Sequence, residues 1–381
     1  MLFKQLPAII LLLPGILSAQ QIPDQTSQTA DYSITSPLIE SQKTKIKILP
    51  NGYYRPETKI AVGAFALLTF KASRKDTISR SSYIKSTFVI TENKQLALEN
   101  DWLVFFKKER FSFYGSLDFM KFPENFYGIG NYTNKRDVRN YELNRISHNS
   151  MVLKKIKGFY FAGINFDTQY LSGNDTSQGL GKFPIYANVT GANGYFVNGL
   201  GPTFLFDSRD NGLISHTGWY NEVSINFHGK ATLSEYNFTN VILNSRKFVP
   251  VLKKMVWASE VYLNFNEGTL PFRSNPAIGG FRFLRGYYTG RFRDKNLIFC
   301  QSEMRIPVFE LFKKIGVGVV AFAGLGEVAP DLKDFNATGM KYSAGGGIRV
   351  LIDKAKNANL RLDYGVTKEG GGFYMVFGEA F

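Results

Sequence analysis

Alternation between apolar and polar residues with a period of two runs through most of this chain. The segment Gly158–Tyr170 shows the pattern most clearly. One of its faces carries Tyr160, Ala162, Ile164, Phe166 and Tyr170, and the other carries Gly163, Asn165, Asp167 and Gln169. This period belongs to a β-strand with one apolar and one polar face. About 15 such segments can be counted, so the sequence predicts an all-β fold.

The N-terminus predicts export from the cytoplasm. The first residues, MLFKQLPAIILLLPGILSAQ, combine an early lysine, an apolar stretch and a small-residue end, which indicates a signal peptide over residues 1–19 with cleavage after Ala19. No later segment supplies the about 18–20 apolar residues of a membrane helix, and Ile315–Leu325 is too short and too rich in glycine. The mature protein is therefore either soluble in the periplasm or crosses a membrane as strands.

Composition favours the second possibility without deciding it. Aromatic residues make up 15% of the chain, there are 36 glycines, and the mean hydropathy is −0.14. These values fit strands with one face in lipid and one in water, although a soluble β-sandwich or propeller would share them. The single cysteine, Cys300, excludes an internal disulfide framework and a cysteine-based metal site.

The formal net charge of +15 bears on the binding partners. A basic soluble protein could bind nucleic acid, but the sequence contains no basic helix or known nucleic-acid module, so no nucleic-acid partner is predicted. Two interpretations stay open. In the first, lysine and arginine side chains of the lumen and loops lie against lipid phosphates. In the second, lysines in loops such as 71–75 and 154–157 are solvated and bind nothing.

The chain divides into three parts. After the signal peptide, residues 20–55 are polar and rich in Ser, Thr, Gln and Pro, and are expected to form a flexible periplasmic lead-in. Strand after strand follows in the expected barrel domain, residues 56–381. Because bacterial single-chain barrels have even numbers of strands, we predict a transmembrane antiparallel β-barrel of 16 strands.

The segment Gly279–Asp294, GGFRFLRGYYTGRFRD, differs from the rest because it combines glycines, aromatic residues and four arginines. It precedes the strand-like run Asn296–Val308. In that run Ile298, Cys300, Ser302, Met304 and Ile306 share one face, and Gln301, Glu303 and Arg305 share the other. A loop of this kind beside a charged strand face predicts a plug inside a wide, wet barrel.

These two motifs resemble the signature of the BamA/TamA superfamily of outer-membrane assembly barrels, the bacterial surface antigen family. The resemblance implies that the loop is extracellular and that Arg285, Gly286 and Tyr287 form the tip of this plug loop. It also implies that Glu303, with Gln301 and Arg305, belongs to the lumen wall that receives the tip. One departure is FAGLG, which places Gly324 where the family often has an aspartate, so a second acidic contact of the plug is expected to be missing.

Two further site predictions concern the ends of strands. The segment Gly199–Tyr220 resembles a second family signature, and the alternation puts Asp207 and Arg209 on one face, which predicts an ion pair at the barrel rim. In the last strand Phe373, Met375, Phe377 and Phe381 are expected to share a face. Phe373, Phe377 and Phe381 would then form a C-terminal insertion signal of the kind outer-membrane barrels carry.

The resemblance implies a function in the bacterial outer membrane, namely insertion or translocation of proteins or lipid through a seam between the first and last strands. The seam would join about Ile60–Phe70 with Gly372–Phe381, and glycines 371, 372 and 378 would either weaken that pairing or relieve crowding. The lead-in is too short for a periplasmic POTRA module. Implied partners are outer-membrane lipid, lipopolysaccharide, unfolded barrel proteins and periplasmic accessory proteins.

Other functions were weighed against this one. A passive structural barrel and a small-solute pore would share the fold. The three histidines, His148, His216 and His228, lie on separate segments without metal-ligand spacing, and no nucleophile elbow or phosphate loop is present. We therefore predict no cofactor, no metal and no enzymatic activity, with an outer-membrane hydrolase as the remote alternative.

Overall fold

Sixteen antiparallel strands close into a barrel in a computed structural model of the chain. The structure describes residues 44–73, 79, 81–175, 189–210, 212, 214–252, 255–311, 315–353 and 358–381. Strand neighbours follow the order of the chain, and the last strand, β18 (Gly370–Phe377), returns to the first, β1 (Lys45–Arg55). The predicted all-β barrel of 16 strands is therefore confirmed. Among the described residues, no helix is both long and apolar enough to cross a membrane.

The other strands of the wall are long. The first half of the wall continues with β2 (Lys59–Phe70), β3 (Ser82–Thr91), β4 (Leu96–Phe106), β5 (Phe111–Phe126), β6 (Arg139–Lys157), β7 (Tyr160–Asp175) and β8 (Tyr195–Asp207). The second half contains β9 (Gly218–His228), β10 (Phe238–Pro250), β11 (Val256–Gly268), β14 (Asn296–Leu311), β15 (Ile315–Ala329), β16 (Lys341–Asp353) and β17 (Ala358–Thr367). Two short strands, β12 (Ala277–Ile278) and β13 (Phe292–Arg293), form a separate two-stranded sheet inside the connection between β11 and β14.

The barrel begins earlier than the sequence predicted. Residues 45–55, expected to belong to the flexible lead-in, form β1, so the strand at Lys59–Phe70 is the second and not the first. The sequence Pro50-Asn51-Gly52 is typical of a turn, so β1 was not predicted as a strand. Proline lacks a backbone N–H donor and occurs mainly in edge strands. The predicted signal peptide, and residues 20–43 of the lead-in, lie outside the described residues.

The seam between β1 and β18 is short. β1 pairs with β2 along its whole length, from Lys45 opposite Thr69 to Arg55 opposite Lys59. Between β1 and β18, by contrast, the described residues contain one partner pair, Tyr54 opposite Met375. The predicted seam partner Ile60–Phe70 is therefore replaced by β1, and the seam joins Lys45–Arg55 with Gly370–Phe377.

Alternation separates the two faces of the wall as predicted. On β14 the buried side chains include Leu297, Phe299, Gln301, Glu303 and Arg305, which point inward. On other strands the outward side chains include exposed apolar residues, among them Ile84, Phe88, Ile164 and Phe204. An oily outer surface around a polar interior is the arrangement of a transmembrane barrel.

The two ends of the barrel differ in their connections. At one end the connections include the short turns 107–110, between β4 and β5, and 158–159, between β6 and β7, and the longest of them, 71–81, has eleven residues. The other end also has short turns, such as 56–58, but it carries the longer connections 127–138 and 269–295. In outer-membrane barrels the short turns face the periplasm and the long loops face outward, which orients this barrel.

Candidate functional site

The connection over residues 269–295, here called the 269–295 loop, folds back so that much of it is buried against inward-facing side chains of the wall. Ile278, Leu284 and Arg285 are each at most 1% exposed. Their apolar neighbours form a cluster with wall residues of β11, β14 and β15, including Tyr262, Phe299 and Val328. A loop packed like this is part of the interior and not a solvated connection.

A tight turn shapes the end of the loop at Arg285. Leu284 has φ 53° and Gly286 has φ 114°, both in the left-handed region, and the Tyr287 amide donates to the Leu284 carbonyl at 3.2 Å. The Gly280 amide donates to the Tyr287 carbonyl at 3.0 Å, which ties the turn to the ascending part of the loop. The turn thus presents the Arg285 side chain to the wall.

Arg285 bridges two carboxylates on different strands. Its Nη2 lies 2.6 Å from Glu303 Oε1 on β14, and its Nη1 lies 2.7 Å from Asp363 Oδ2 on β17. The guanidinium carbon is also 3.5 Å from the centre of the Phe322 ring on β15. All three polar side chains are at most 1% exposed, so these are charge-assisted bonds in a site removed from water.

The same buried network extends to the residues that follow β18. Arg349 Nη1 is 2.6 Å from Asp363 Oδ1, and its Nε is 2.8 Å from Glu379 Oε2. Arg305 Nε donates to Glu303 at 3.0 Å and lies 3.8 Å from Glu379. A chain of alternating charges therefore connects Arg285 in the loop with Glu379 beyond the seam strand.

Close backbone approach between the loop and β17 requires two glycines. A Cβ on Gly286 would lie 2.7 Å from Thr367 Cγ2 and 2.8 Å from the Gly365 carbonyl oxygen, and a Cβ on Gly365 would lie 2.2 Å from the Arg285 carbonyl oxygen. The Gly286 amide donates to the Tyr374 hydroxyl of β18 at 2.9 Å. The tip of the loop thus contacts the seam strand β18 and its neighbour β17.

Glu260 on β11 holds a second arginine of the loop. Arg282 Nη2 lies 2.8 Å from Glu260 Oε1, and Arg246 of β10 donates to the same oxygen at 3.0 Å. The Gln301 amide donates to the other oxygen of Glu260 at 2.7 Å. Gln301 therefore supports the neighbouring anchor at Arg282 and has no recorded bond to Arg285.

The outer part of the loop is held by extracellular connections. Arg291 lies 2.7 Å from Glu369, between β17 and β18, and its Nη1 donates to the Thr133 hydroxyl at 2.7 Å. Arg273 is 2.9 Å from Glu124 of β5. Each arginine thus ties the loop to a different part of the barrel rim.

One expectation about the loop was wrong. Gly324 was expected to deprive the loop tip of a second acidic partner, yet Asp363 on β17 provides it. A Cβ at position 324 would lie 3.2 Å from Leu284 Cδ2 and 3.1 Å from the Cys300 carbonyl oxygen. Glycine at this place leaves room for Leu284, and the acid comes from a different strand.

The structure places the other predicted site residues as follows. Arg305 contacts Glu303 and lies next to the Arg285 site without a recorded bond to Arg285. At the periplasmic rim, Asp207 Oδ1 accepts from the backbone amide of Arg209 at 3.1 Å, and the Arg209 guanidinium donates to the Gly212 carbonyl at 3.0 Å. The rim ion pair itself stays a prediction.

Phe381 does not share the outward face of the last strand. Phe373, which is 43% exposed, and Phe377 do point outward on β18, but the strand ends at Phe377 and Gly378 adopts φ 84°. Phe381 then lies inside, 6.2 Å from the Phe248 ring, and its carbonyl accepts from Arg305 at 3.1 Å. The prediction for this residue was wrong because the alternation was extended past the end of the strand.

Glu57, in the turn between β1 and β2, contacts the 269–295 loop, and the sequence did not predict this contact. It is 4% exposed, and its Oε1 accepts a hydrogen bond from Thr289 of the loop at 2.5 Å. Burial raises the pKa of this carboxyl, while Arg55 and the Thr289 bond act in the opposite direction. A turn residue carries no periodic signal, so only the fold reveals the contact.

The raised pKa of Glu57 predicts a pH dependence. The folded protein holds this proton more tightly than the unfolded chain, so the stability that Glu57 contributes is greatest at acidic pH and is lost as the pH rises through the folded pKa. We expect Glu57→Gln to become more stable relative to the parent as the pH increases. Urea unfolding of both proteins in detergent across a pH series measures this difference. Parallel stability curves for the two proteins would contradict it.

Comparison with known proteins identifies a family and similar folds. The model of the Omp85 superfamily domain matches residues 99–381. Similar solved structures are BamA from Haemophilus ducreyi lacking POTRA domains 1–3, CdiB from Acinetobacter baumannii and CdiB from Escherichia coli, with identities of 13%, 9% and 9% and TM-scores of 0.58, 0.56 and 0.58.

These structures cover 89%, 89% and 90% of this chain, which spans 70%, 60% and 68% of theirs. At such identities the likeness shows the fold. No curated protein matches the sequence. The domain match, which covers most of the chain, confirms the resemblance indicated by the arginine-rich loop and its neighbouring strand. The chain belongs to the Omp85 superfamily.

Proposed function

We propose that this protein assists the insertion or translocation of proteins, or of lipid, at the bacterial outer membrane through the seam between β1 and β18. The observation that carries the proposal is the single partner pair, Tyr54 opposite Met375, between two strands that each pair extensively with their other neighbour. A short seam costs less to open than any other strand pair of the wall. The same fold with a permanently closed seam would be a passive barrel.

The unpaired part of β1 is the proposed template. Residues 45–50 are exposed on both faces of the strand, while their other edge is fully bonded to β2. An exposed strand edge presents unpaired N–H and C=O groups that can add a further strand from another chain. Gly371 and Gly372 lie opposite Val366 and Gly365 of β17, so weaker pairing there would loosen the other edge of β18.

The 269–295 loop is the proposed plug, with Arg285, Gly286 and Tyr287 at its tip and Glu303 in the wall that receives it. Its contacts support a second role in gating. The tip bonds Tyr374 on β18 directly, and it reaches Glu379 through Asp363 and Arg349. Withdrawal of the loop would therefore break the bond to the seam strand at Tyr374 and remove Arg285 from the network that holds Glu379, so that plug position affects seam opening.

The proposed partners follow from this location. They are outer-membrane lipid and lipopolysaccharide around the wall, unfolded barrel proteins at the seam, and periplasmic accessory proteins. The outward Phe373 and Phe377 would serve in the insertion of the protein itself. The predicted cleaved signal peptide accounts for export, and no catalytic role or cofactor is proposed.

A covalent lock on the seam tests the function. Tyr54→Cys and Met375→Cys, in a Cys300→Ala background, put two thiols at facing positions of β1 and β18. Liposomes containing the purified barrel are scored for accelerated folding of a separate barrel substrate. We expect acceleration by the reduced protein, loss of acceleration after oxidation, and recovery with reductant.

A matched lock elsewhere in the wall provides the control. Val62→Cys and Ile90→Cys face each other on β2 and β3, and their disulfide should leave the acceleration unchanged. Failure of the reduced seam variant and of the parent to accelerate folding would favour the passive barrel. Equal acceleration by the oxidised and reduced seam variants would exclude a mechanism that opens this seam.

A further inference from the structure

A groove of about 480 Å³ lies on the barrel wall near the end with the short turns. Phe106, Phe111 and Val152 line it from β4, β5 and β6, and Ala72 closes it from the connection after β2. Phe106 and Val152 are 42% and 44% exposed on the outward face. The groove is therefore apolar and opens towards the lipid that surrounds a membrane barrel.

Lysines stand at two sides of this groove. Lys107 is one of its lining residues, and its Nζ is 5.6 Å from the centre of the Phe111 ring. Lys154 on β6 is the register partner of Phe111 on β5, so it lies on the same outward face, and it is exposed. A lysine on the outer wall extends its ammonium to the level of the head groups while its methylenes cover apolar surface.

The surrounding turns are strongly basic. The Lys155 amide donates to the Arg110 carbonyl at 2.9 Å, which holds the turn at 107–110 next to the turn after β6. Exposed cations at these positions are Lys107, Lys108, Arg110, Lys154, Lys155 and Lys157. Glu109 is the acidic residue among them, so the local formal charge is six minus one, or +5.

The turn holds an unfavourable backbone conformation. Lys107, Lys108 and Glu109 have φ values of 49°, 60° and 61°, all in the left-handed region that L-residues other than glycine avoid. Strain of this kind persists where the surroundings fix it, and it concentrates at functional sites. Here it accompanies a lysine placed along the wall of an apolar groove.

We propose that this groove binds one anionic glycerophospholipid, with an acyl chain along Phe106, Phe111 and Val152 and the phosphate between Lys107 and Lys154. The proposal rests on the proposed outer-membrane location and names one lipid class among its partners. The short turns face the periplasm, so the ligand comes from the inner leaflet. Exposed Ile156, Phe159 and Tyr160 at the same end favour a membrane surface over an acidic protein.

Lipid retention by the purified full chain tests the proposal. Native mass spectrometry in mild detergent compares phosphatidylglycerol with phosphatidylcholine carrying the same acyl chains. We expect the parent to prefer phosphatidylglycerol. Each lysine near a membrane surface contributes about fivefold to anion binding, so the Lys107→Ser/Lys154→Ser variant should lose about 25-fold in affinity for phosphatidylglycerol and little for phosphatidylcholine.

The opposite rim supplies a matched control. Lys333→Ser/Lys368→Ser removes two exposed lysines from the extracellular end and should keep the preference. Phe106→Ser should weaken retention of both lipids, because it acts on the acyl chain. Heat-modifiable gel migration reports folding of every variant. If the double-lysine variant fails to fold, the parent is measured at high salt instead, where its preference for phosphatidylglycerol should be lost.

Several results would overturn the proposal. They are equal retention of both lipids by the parent, an equal loss in the Lys333/Lys368 control, and displacement of the lipid by glycerol 3-phosphate alone. Capture of an acidic periplasmic protein at this rim in place of lipid would also overturn it. None of these outcomes depends on folding acceleration, so failure of the lipid site is distinguishable from failure of the insertion function.

Discussion

Arg285→Ala should lower the free energy of unfolding of the barrel by about 3–5 kcal/mol, because Glu303 and Asp363 each lose a buried charge-assisted bond and keep their bonds to Arg305 and Arg349. Both carboxylates have 0% exposed side chains, so water cannot replace the guanidinium without opening the site. Urea unfolding in detergent measures the change. The yield of folded barrel, from heat-modifiable gel migration, should fall in parallel.

Two other substitutions show whether the bridge from Arg285 to both carboxylates causes this loss of stability. Arg285→Lys keeps one positive charge but lacks the planar fork that reaches two carboxylates, so an intermediate loss is expected. Arg291→Ala removes a buried arginine whose acid, Glu369, is 24% exposed and can be solvated, so the loss should be smaller, about 1–3 kcal/mol. Equal effects of Arg285→Ala and Arg291→Ala would contradict the assignment of Arg285 as the main anchor.

Gly286→Ala should have the second largest effect, a loss of about 2–4 kcal/mol. Part of it is the left-handed backbone at φ 114°, and the rest is overlap of the new methyl group with Thr367 and the Gly365 carbonyl. The loop would have to withdraw from β17 to relieve the overlap, which stretches the Arg285 bonds. Protease accessibility of the loop, followed together with urea unfolding, detects this withdrawal.

Gly290→Ala is the matched control within the same loop. Its φ is 71°, and the nearest atom to a new Cβ is Nη2 of Arg293, at 3.1 Å, on a flexible side chain. Backbone strain alone should cost about 1–2 kcal/mol. If both alanine variants lose the same stability, close approach to β17 is not what requires glycine at position 286.

The sequence predicted those features that depend on local periodicity. The two faces of β14 follow from alternation, because each lipid-facing residue must be apolar and each inward one need not be. The strand number follows from about 15 alternating segments together with the even strand numbers of bacterial barrels. The contact between Arg285 and Glu303 followed from the family resemblance together with the charged face of β14. Both partners lie within one continuous segment, 279–308, which made their proximity predictable.

Contacts between strands far apart in the chain could not be predicted from the sequence. Asp363 joins Arg285 across a separation of 78 residues, and nothing in its strand distinguishes it from another inward carboxylate. Glu379 and Phe381 follow the end of β18, where the left-handed backbone of Gly378 interrupts the period. β1 was missed for the opposite reason, since Pro50 and Gly52 suggest a turn whereas an edge strand tolerates them.

The end of β18 at Gly378 also limits the length of the seam. Continuing the register from Tyr54 and Met375, residues 378–381 would run beside Asn51–Ile48, but they enter the interior and bind Arg305 and Arg349 instead. Residues 48–51 of β1 therefore have no partner in the described chain segment after β18, and the two end strands pair only near the turn that follows β1. Under the proposed function, an incoming strand would meet this unpaired start of β1 before it reached the paired end.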